Sequence, residues 1–399
     1  MEGFYKFLIG PINTKKPYEA IGFQVKILKF FGMWEPENLG ENSKILYKIW
    51  SFFCRGFFLH IYTITQLLYF KDVDDIAKAA DGIFIVMTQI AMLFKLERLY
   101  MNRHRVKACA KMLENEIFEP KDIDEENVMK PVMFNCLRFC LLLLTPSVLT
   151  CHLWTIVPFF EEKIRFPIAT WYPFSTQNTF VFIIIYFYQY VGIHVSAVVN
   201  TAQDTIISAF IAQTNGQIQR LGIRMSKIGN DFEFGDDSVE AKEICQEQVR
   251  DCIKLHKAIL DFNKNLQDIF RASVFAQLMA AVIIICMILF LATTQEQTLV
   301  SLSSFVSYFN AMTIQILLFC WIGNELIYSS KDLTYQAFKS NFMSFKKTNS
   351  KDILFLMQRT STDVKFMAGI IFRVELSLQT FLDIMKASYS YFSVIRTVG

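Results

Sequence analysis

The chain has 399 residues, of which 53% are hydrophobic and 15% aromatic, with 40 Phe and a formal net charge of +3. This composition excludes an ordinary soluble globular protein, because so many large apolar side chains must pack against one another, against lipid or against an apolar ligand. The small net charge gives no indication of a nucleic-acid partner.

Seven apolar stretches, each near or above the roughly 20 residues that a helix needs to cross a bilayer, run along the chain. They lie at about 45–70, 76–99, 133–158, 178–203, 272–293, 300–328 and 366–397. Between these stretches, the first, third and fifth connections hold only Lys71, Lys163 and Arg165 as basic residues. The N-terminal segment and the other connections are rich in Lys and Arg, which marks the cytoplasmic face. We therefore predict an all-α polytopic membrane protein with seven transmembrane helices, a cytoplasmic N-terminus and an extracellular C-terminus.

Residues 1–44 are predicted to form a cytoplasmic N-terminal segment. Residues 45–330 are predicted to contain the first six transmembrane helices, with cytoplasmic helical extensions at about 203–271. The fourth connection continues span four as a polar helix, breaks at Gly229-Asn230 and resumes as a helix near Ser238. Residues 331–365 are predicted to form another cytoplasmic helix and a loop. Such amphipathic helices either lie on the membrane surface or pack together in a cytoplasmic bundle that joins subunits.

The last stretch, 366–397, is more polar than a lipid-facing helix. Residues such as Asp383 and Lys386 are costly inside a membrane and usually face a partner or water. We predict that residues 366–399 form a seventh helix, and its small and polar side chains at helical spacing suit either a narrow pore or helix–helix packing.

No motif for an enzyme, a metal or a cofactor is present, since a Walker loop, an HExxH pair and a nucleophile elbow are all missing from the sequence. Cys136 and Cys140 are one helical turn apart and suit a soft metal in principle. Without a neighbouring His or carboxylate, they are interpreted as buried structural thiols. We predict a protein that is not an enzyme and has no cofactor.

Three motifs carry a resemblance to a known family. The outer segment 167–174, PIATWYPF, resembles the WYPF-type motif before span four of insect odorant receptors. Residues 319–325, FCWIGNE, resemble the CWxGNE signature of the same family, and SYSYF at 388–392 resembles the closure of its last helix. One departure is Phe342, where many members have Trp, which we expect to affect the packing of the cytoplasmic bundle.

The resemblance implies a ligand-gated, poorly selective cation channel that is assembled as a tetramer through its inner helices. Most such chains are odorant-tuning subunits that assemble with the co-receptor Orco, and the short turn at 230–238 matches a tuning subunit. The resemblance also implies a multi-pass protein of the plasma membrane, located in the dendrites of olfactory neurons. Its implied partners, besides the co-receptor, are a small volatile odorant, the cations that pass through the pore and membrane lipid. The alternatives are a seven-helix transporter and a G-protein-coupled receptor, and the latter would have the opposite orientation.

In the family, the odorant pocket lies in the outer half of the bilayer between spans two and six. Side chains at that depth with helical spacing are candidates for its lining: Ile83, Phe84, Met87, Ser147, Thr150, Trp154, Phe180, Ile184, Tyr188, Phe305 and Tyr308. For each of them, ordinary helix packing is the alternative. The family's outer gate lies late in the last helix, which nominates Val394 as the gate aliphatic, with Tyr391 and Thr397 as its neighbours.

Overall fold

The structure is a computed structural model that describes residues 17–36, 39–73, 76–160, 164–231, 238–294, 299–341 and 347–398. The α-helices, in chain order, are α1 (Gly22–Phe30), α2 (Glu41–Phe53), α3 (Tyr62–Tyr69), α4 (Ile76–Met101), α5 (Arg103–Met112), α6 (Ile123–Ile156), α7 (Thr179–Ser226), α8 (Val239–Thr294), α9 (Leu299–Phe338), α10 (Lys347–Thr360) and α11 (Leu378–Val398). A π-helical segment, Cys54–Ile61, connects α2 to α3, and short 3-10 turns cover Pro17–Ile21, Phe70–Asp72, Glu116–Phe118 and Val157–Phe160. The strands β1 (Met367–Ala368) and β2 (Val374–Glu375) pair antiparallel.

Four of the described helices are long and apolar enough to cross a membrane. They occupy Ile123–Phe160, Thr179–Ser226, Val239–Thr293 and Leu302–Phe338. Many large apolar side chains on the helices are exposed in the single chain, among them Phe52, Leu149 and Phe187. A surface of this kind suits lipid rather than water. The prediction of an all-helical polytopic membrane protein is confirmed.

The start and end of the long inner helices follow local sequence signals. The side chain of Asn178 accepts a hydrogen bond from the backbone N–H of Phe180 over 2.9 Å, which caps α7. Helix α7 then continues as one helix of 48 residues to Ser226 and ends before Gly229, whose φ of 76° is in the left-handed region. Helix α8 begins just after Ser238, as the sequence predicts.

A buried charge cluster connects the start of α6 to the end of α7. Arg220 and Arg224 both donate to the carboxylate of Glu125, at 2.8 Å and 2.5 Å, and the Arg220 and Glu125 side chains are buried. Nearby, hydrogen bonds to Asp122 and Asp124 raise the pKa of Lys227 above its usual value. Paired charges of this kind hold the first turn of α6 against α7.

The prediction of a continuous seventh helix over 366–397 is wrong at its start. Residues 367–375 form the β1–β2 hairpin, with Gly369 at a φ of 93°, and α11 begins only at Leu378. The Oγ of Ser377 accepts from the backbone N–H of Thr380 over 3.3 Å, as a helix cap does. Part of the polar composition of this stretch therefore belongs to a hairpin and a cap rather than to a span.

Residues 331–365 are also divided differently from the prediction. Helix α9 extends without a break through the FCWIGNE motif to Phe338, and a separate helix, α10, occupies Lys347–Thr360. The departure at Phe342 lies outside the described residues.

Candidate ligand-binding site

A cavity of about 80 Å³ lies among α3, α4, α6, α7 and α9. This volume is several times the room that one water molecule needs. Its lining is Tyr62, Ile85, Thr88, Gln89, Met92, Leu143, Ser147, Thr150, Cys151, Trp154, Ile168, Ile193, Ser196, Ala197, Asn200, Thr201, Asp204, Tyr308, Ala311, Met312 and Gln315.

One end of the cavity is aromatic. The rings of Trp154 and Tyr308 lie 4.8 Å apart between centroids, and the ring of Phe84 lies 5.5 Å from that of Tyr308. The hydroxyls of Tyr308 and Thr88 form a short hydrogen bond that ties α9 to α4. Aromatic pairs at these separations are favourable beyond the area that they bury, so this end is a stable apolar wall.

The wall supplied by α6 is shaped around Pro146, which lacks the N–H that would continue the helical hydrogen bonds. Ser147 donates to the carbonyl of Leu143 over 2.7 Å, and Thr150 donates to that of Pro146 over 2.8 Å. The hydroxyl of Thr150 also lies 2.8 Å from that of Ser307 on α9. The hydroxyls of Ser147 and Thr150 thus add hydrogen bonds to backbone carbonyls on this part of α6, and Thr150 connects two walls of the cavity.

The outer loop with the PIATWYPF motif covers the cavity. The backbone N–H of Ile168, a buried lining residue, donates to the side chain of Gln189 on α7 over 3.1 Å. Gln189 in turn donates to the hydroxyl of Thr170 over 2.7 Å, and the N–H of Trp171 donates to the carbonyl of Thr65 over 2.9 Å. The motif therefore fixes this loop to α7 and α3.

A buried ion pair lies at the opposite end of the cavity. The Nζ of Lys95 on α4 donates to Asp204 on α7 over 2.6 Å and to the side chain of Gln277 on α8 over 2.7 Å. Gln315 on α9 forms a short hydrogen bond with the other carboxylate oxygen of Asp204. The Lys95 and Asp204 side chains are 1% and 0% exposed. Four helices thus meet at one neutralised polar site.

A smaller cavity of about 30 Å³ adjoins the aromatic end and shares Ile85 and Trp154 with the larger one. Its lining also includes Phe84, Phe305, Val157 and Ser304, together with Arg165, Pro167 and Ala169 of the outer loop.

The structure brings together some of the residues predicted for the pocket. Ser147, Thr150, Trp154 and Tyr308 line the larger cavity, whereas Phe84 and Phe305 line the smaller one.

The other five predicted residues lie away from both cavities. Phe180 is 72% exposed and Ile184 is also exposed, so both point outward from α7. Tyr188 donates its hydroxyl to the carbonyl of Phe57 and packs edge-on against Tyr62. Ile83 and Met87 are half-buried on a neighbouring face of α4. The α7 residues that do line the cavity begin at Ile193, further along the helix.

The polar lining residues, chiefly Gln89, Asn200, Asp204 and Gln315, were not predicted from the sequence. One signal pointed to part of this set, because Lys95 lies inside predicted span two and an ionisable residue in a span needs a partner. Asp204 lies one residue beyond the predicted end of span four. A charged residue at that position is typical of the cytoplasmic segment that follows a span, so it did not indicate a cavity.

The predicted gate residues Tyr391, Val394 and Thr397 are all exposed in the single chain, with Val394 at 58%. The opposite face of α11 is buried through Ile384, Ser388 and Phe392.

Gly323, in the FCWIGNE motif, lets α9 approach the segment before α11. A Cβ added at this glycine would lie 2.4 Å from the side chain and the carbonyl oxygen of Leu376. Only glycine allows this approach without a shift of backbone.

The chain matches the 7tm Odorant receptor family over residues 75–389. It is 34% identical over 398 residues to "Odorant receptor Or1" of Anopheles gambiae, with 95% of each chain covered. It is 25% identical over 420 residues to "Odorant receptor 13a" of Drosophila melanogaster, covering 96% of this chain and 97% of that one. Its fold is similar to that of the insect olfactory receptor OR5 from Machilis hrabei in complex with eugenol, with a TM-score of 0.82 and 14% identity over 95% of this chain and 98% of that chain. The chain therefore belongs to the odorant receptor family of insects, a family of receptors rather than enzymes.

Proposed function

We propose that the chain is the odorant-binding subunit of a heteromeric, ligand-gated, non-selective cation channel that senses a small volatile compound with an apolar or aromatic body. The observation that carries this proposal is the cavity among the helices, which is lined at one end by the rings of Trp154 and Tyr308, with the ring of Phe84 packed behind Tyr308. A volatile molecule has few polar groups, so its affinity must come mainly from apolar burial, at roughly 25 cal/mol per Å². The aromatic rings that several helices place around the cavity can bury the apolar surface of such a ligand.

We also propose seven membrane crossings, with the N-terminus in the cytoplasm and the C-terminus outside. The distribution of Lys and Arg along the sequence supports this orientation. The aromatic end of the cavity then lies toward the outer face, and the Lys95–Asp204 pair lies inward. The proposed location is the plasma membrane of olfactory neurons, in their dendrites.

The proposed pore helix is α11. Its exposed face in the single chain, which includes Asp383, Ser390 and Val394, leaves a polar and aliphatic stripe free to meet other subunits around an axis. An aliphatic ring at Val394 would form the gate, since hydrophobic constrictions close a pore by dewetting. Tyr391 and Thr397 would flank it.

The proposed partner is the Orco co-receptor, in a heterotetramer joined through the inner helices. Large apolar side chains are exposed on these inner parts, among them Tyr335, Phe338 and Phe355. Exposed apolar side chains outside the membrane indicate an interaction surface, which favours subunit assembly over isolated helices lying on the membrane.

A route from cavity to pore is available through α8. This helix contributes Gln277 to the polar site beneath the cavity and packs directly against α11. A ligand shifts a gating equilibrium only by its different affinity for the two states. We propose that ligand in the cavity favours the arrangement in which the α11 helices move apart.

The test is expression of the chain with and without Orco, followed by recording of membrane currents against an odorant panel. We expect odorant-evoked cation currents from cells that express the chain together with Orco. Uninjected cells should give no such currents. Solute flux without single-channel currents would indicate a transporter instead. Tags at both ends, read in intact cells, separate the G-protein-coupled alternative, which places the N-terminus outside.

A further inference from the structure

Helix α7 presents a row of polar side chains to the cavity. Ser196, Asn200 and Asp204 follow one another at four-residue spacing and all line the cavity. This spacing places them on one helix face over about 12 Å. The row runs from the middle of the cavity to its inner end, opposite the aromatic wall.

Three oxygens in this region have no hydrogen-bond partner within the part of the chain that the structure describes. They are the Oγ of Ser196, the Oδ1 of Asn200 and, from the facing helix α4, the Oε1 of Gln89. Ser196 and Gln89 are only 5% and 7% exposed. Buried polar groups without partners are uncommon in native proteins and call for a ligand or an ordered water.

The neighbouring Asp204 is different, because both of its carboxylate oxygens already have partners in Lys95 and Gln315. The ion pair therefore forms a fixed floor, and Ser196, Asn200 and Gln89 are the groups left to meet a ligand. The outer end of the same cavity offers aromatic rings and aliphatic side chains, including Trp154 and Met312. The cavity is thus apolar at one end and hydrogen-bonding at the other.

From this arrangement we propose that the ligand of this receptor carries one hydrogen-bond donor, a hydroxyl or an N–H group, on an apolar body, and that it binds with this donor directed inward to the oxygens of Ser196, Asn200 and Gln89. The inference rests on the proposed function, because it takes the cavity to be the odorant site. It adds that the receptor discriminates against hydrocarbons of the same shape. A site built to hydrogen-bond a polar group rejects the analogue that lacks the group, since its own polar atoms then stay unpaired.

The experiment measures binding and gating separately with two pairs of probes matched in shape. Benzyl alcohol is compared with ethylbenzene, and 1-phenylethanol with isopropylbenzene, so that the polar member of each pair supplies an O–H donor. Binding is read as the concentration that half-maximally raises the melting temperature of the purified full-length chain with its co-receptor. Gating is read as evoked current. In each active pair, we expect the polar member to act at a concentration at least about tenfold lower than the hydrocarbon. A tenfold difference corresponds to about 1.4 kcal/mol of binding free energy.

Three single variants locate the preference. Asn200→Leu, Gln89→Leu and Ser196→Ala each remove one of the unpartnered oxygens and should reduce the preference, because the polar probe loses more potency than the hydrocarbon of the same shape. Folding should tolerate these changes because the oxygens that are removed have no hydrogen-bond partner among the described residues. The matched control is Ser208→Ala, since Ser208 lies on the same helix, is buried, has an unpartnered Oγ and does not line the cavity.

The outcomes are distinguishable. Equal potency of both members in the unaltered receptor, or a preference that survives in all three variants, overturns the inference while the proposed function stands; ordered water would then be what satisfies these oxygens. If no probe and no panel odorant either stabilises the protein or evokes current, the proposed function fails and the inference falls with it.

Discussion

The Lys95–Asp204 pair gives the sharpest stability prediction. Lys95→Met leaves the Asp204 carboxylate buried with only Gln315 as a partner, in a site where both charged side chains are at most 1% exposed. Removing one member of a buried pair costs about 3–5 kcal/mol, because the other charge is left uncompensated. With an unfolding entropy of roughly 2.1 cal/mol/K per residue, this loss lowers the melting temperature of a chain of this length by about 4–6 °C.

The assay is thermal unfolding of the purified receptor in one detergent for Lys95→Met, Asp204→Asn and the double variant. The double variant removes both charges, so it should recover at least half of the larger single loss, because a buried pair replaced as a whole is often close to neutral. This non-additivity is the signature of a direct interaction. Single variants that melt within about 1 °C of the unaltered chain, or losses that simply add, would refute the reasoning.

Further predictions concern the cavity, the gate and the FCWIGNE motif. Trp154→Ala removes the contact of the indole ring with an aromatic ligand, worth about 0.5–1.5 kcal/mol, and should raise the half-maximal odorant concentration about 2- to 12-fold. The control Phe180→Ala, at a side chain that is 72% exposed on the outside of α7, should leave the dose–response curve unchanged. Val394→Ala should produce a basal cation leak without odorant, and an unchanged basal conductance at equal surface expression would remove Val394 from the gate. Gly323→Ala should reduce surface expression and the melting temperature, because its Cβ would meet Leu376 at 2.4 Å, whereas Gly22→Ala, with nothing within 4 Å, should behave as the unaltered chain; equal losses would contradict the packing argument.

The sequence was sufficient to predict the helical class and the long inner helices, because hydropathy and cap residues are local signals. It failed at 366–377, where Arg373, Glu375 and Ser377 were read as polar residues of a span. The structure places them in and after a hairpin whose turn includes Gly369 at a positive φ, and the Ser377 cap starts α11 after it. A short apolar hairpin next to a helix has no periodicity that separates it from the helix itself.

The cavity was predictable in part. Trp154 and Tyr308 stand out as amphipathic aromatics, and both line it. On α4 and α7 the prediction chose Phe84 and Phe180, because aromatic residues suggest a pocket, whereas the lining residues of α7 begin nearer the inner end of the helix. A helix that is apolar on every side gives no hydrophobic face from which its orientation can be read.

The central claim is that odorant in this cavity opens a pore formed by the chain itself with its co-receptor. The most direct measurement is single-channel recording from purified receptor and Orco in lipid bilayers that contain no nucleotide and no other protein. The account predicts discrete cation openings that appear when odorant is added and that need a higher odorant concentration in the Trp154→Ala receptor. Bilayers that contain correctly assembled receptor and stay silent at every odorant concentration would contradict it.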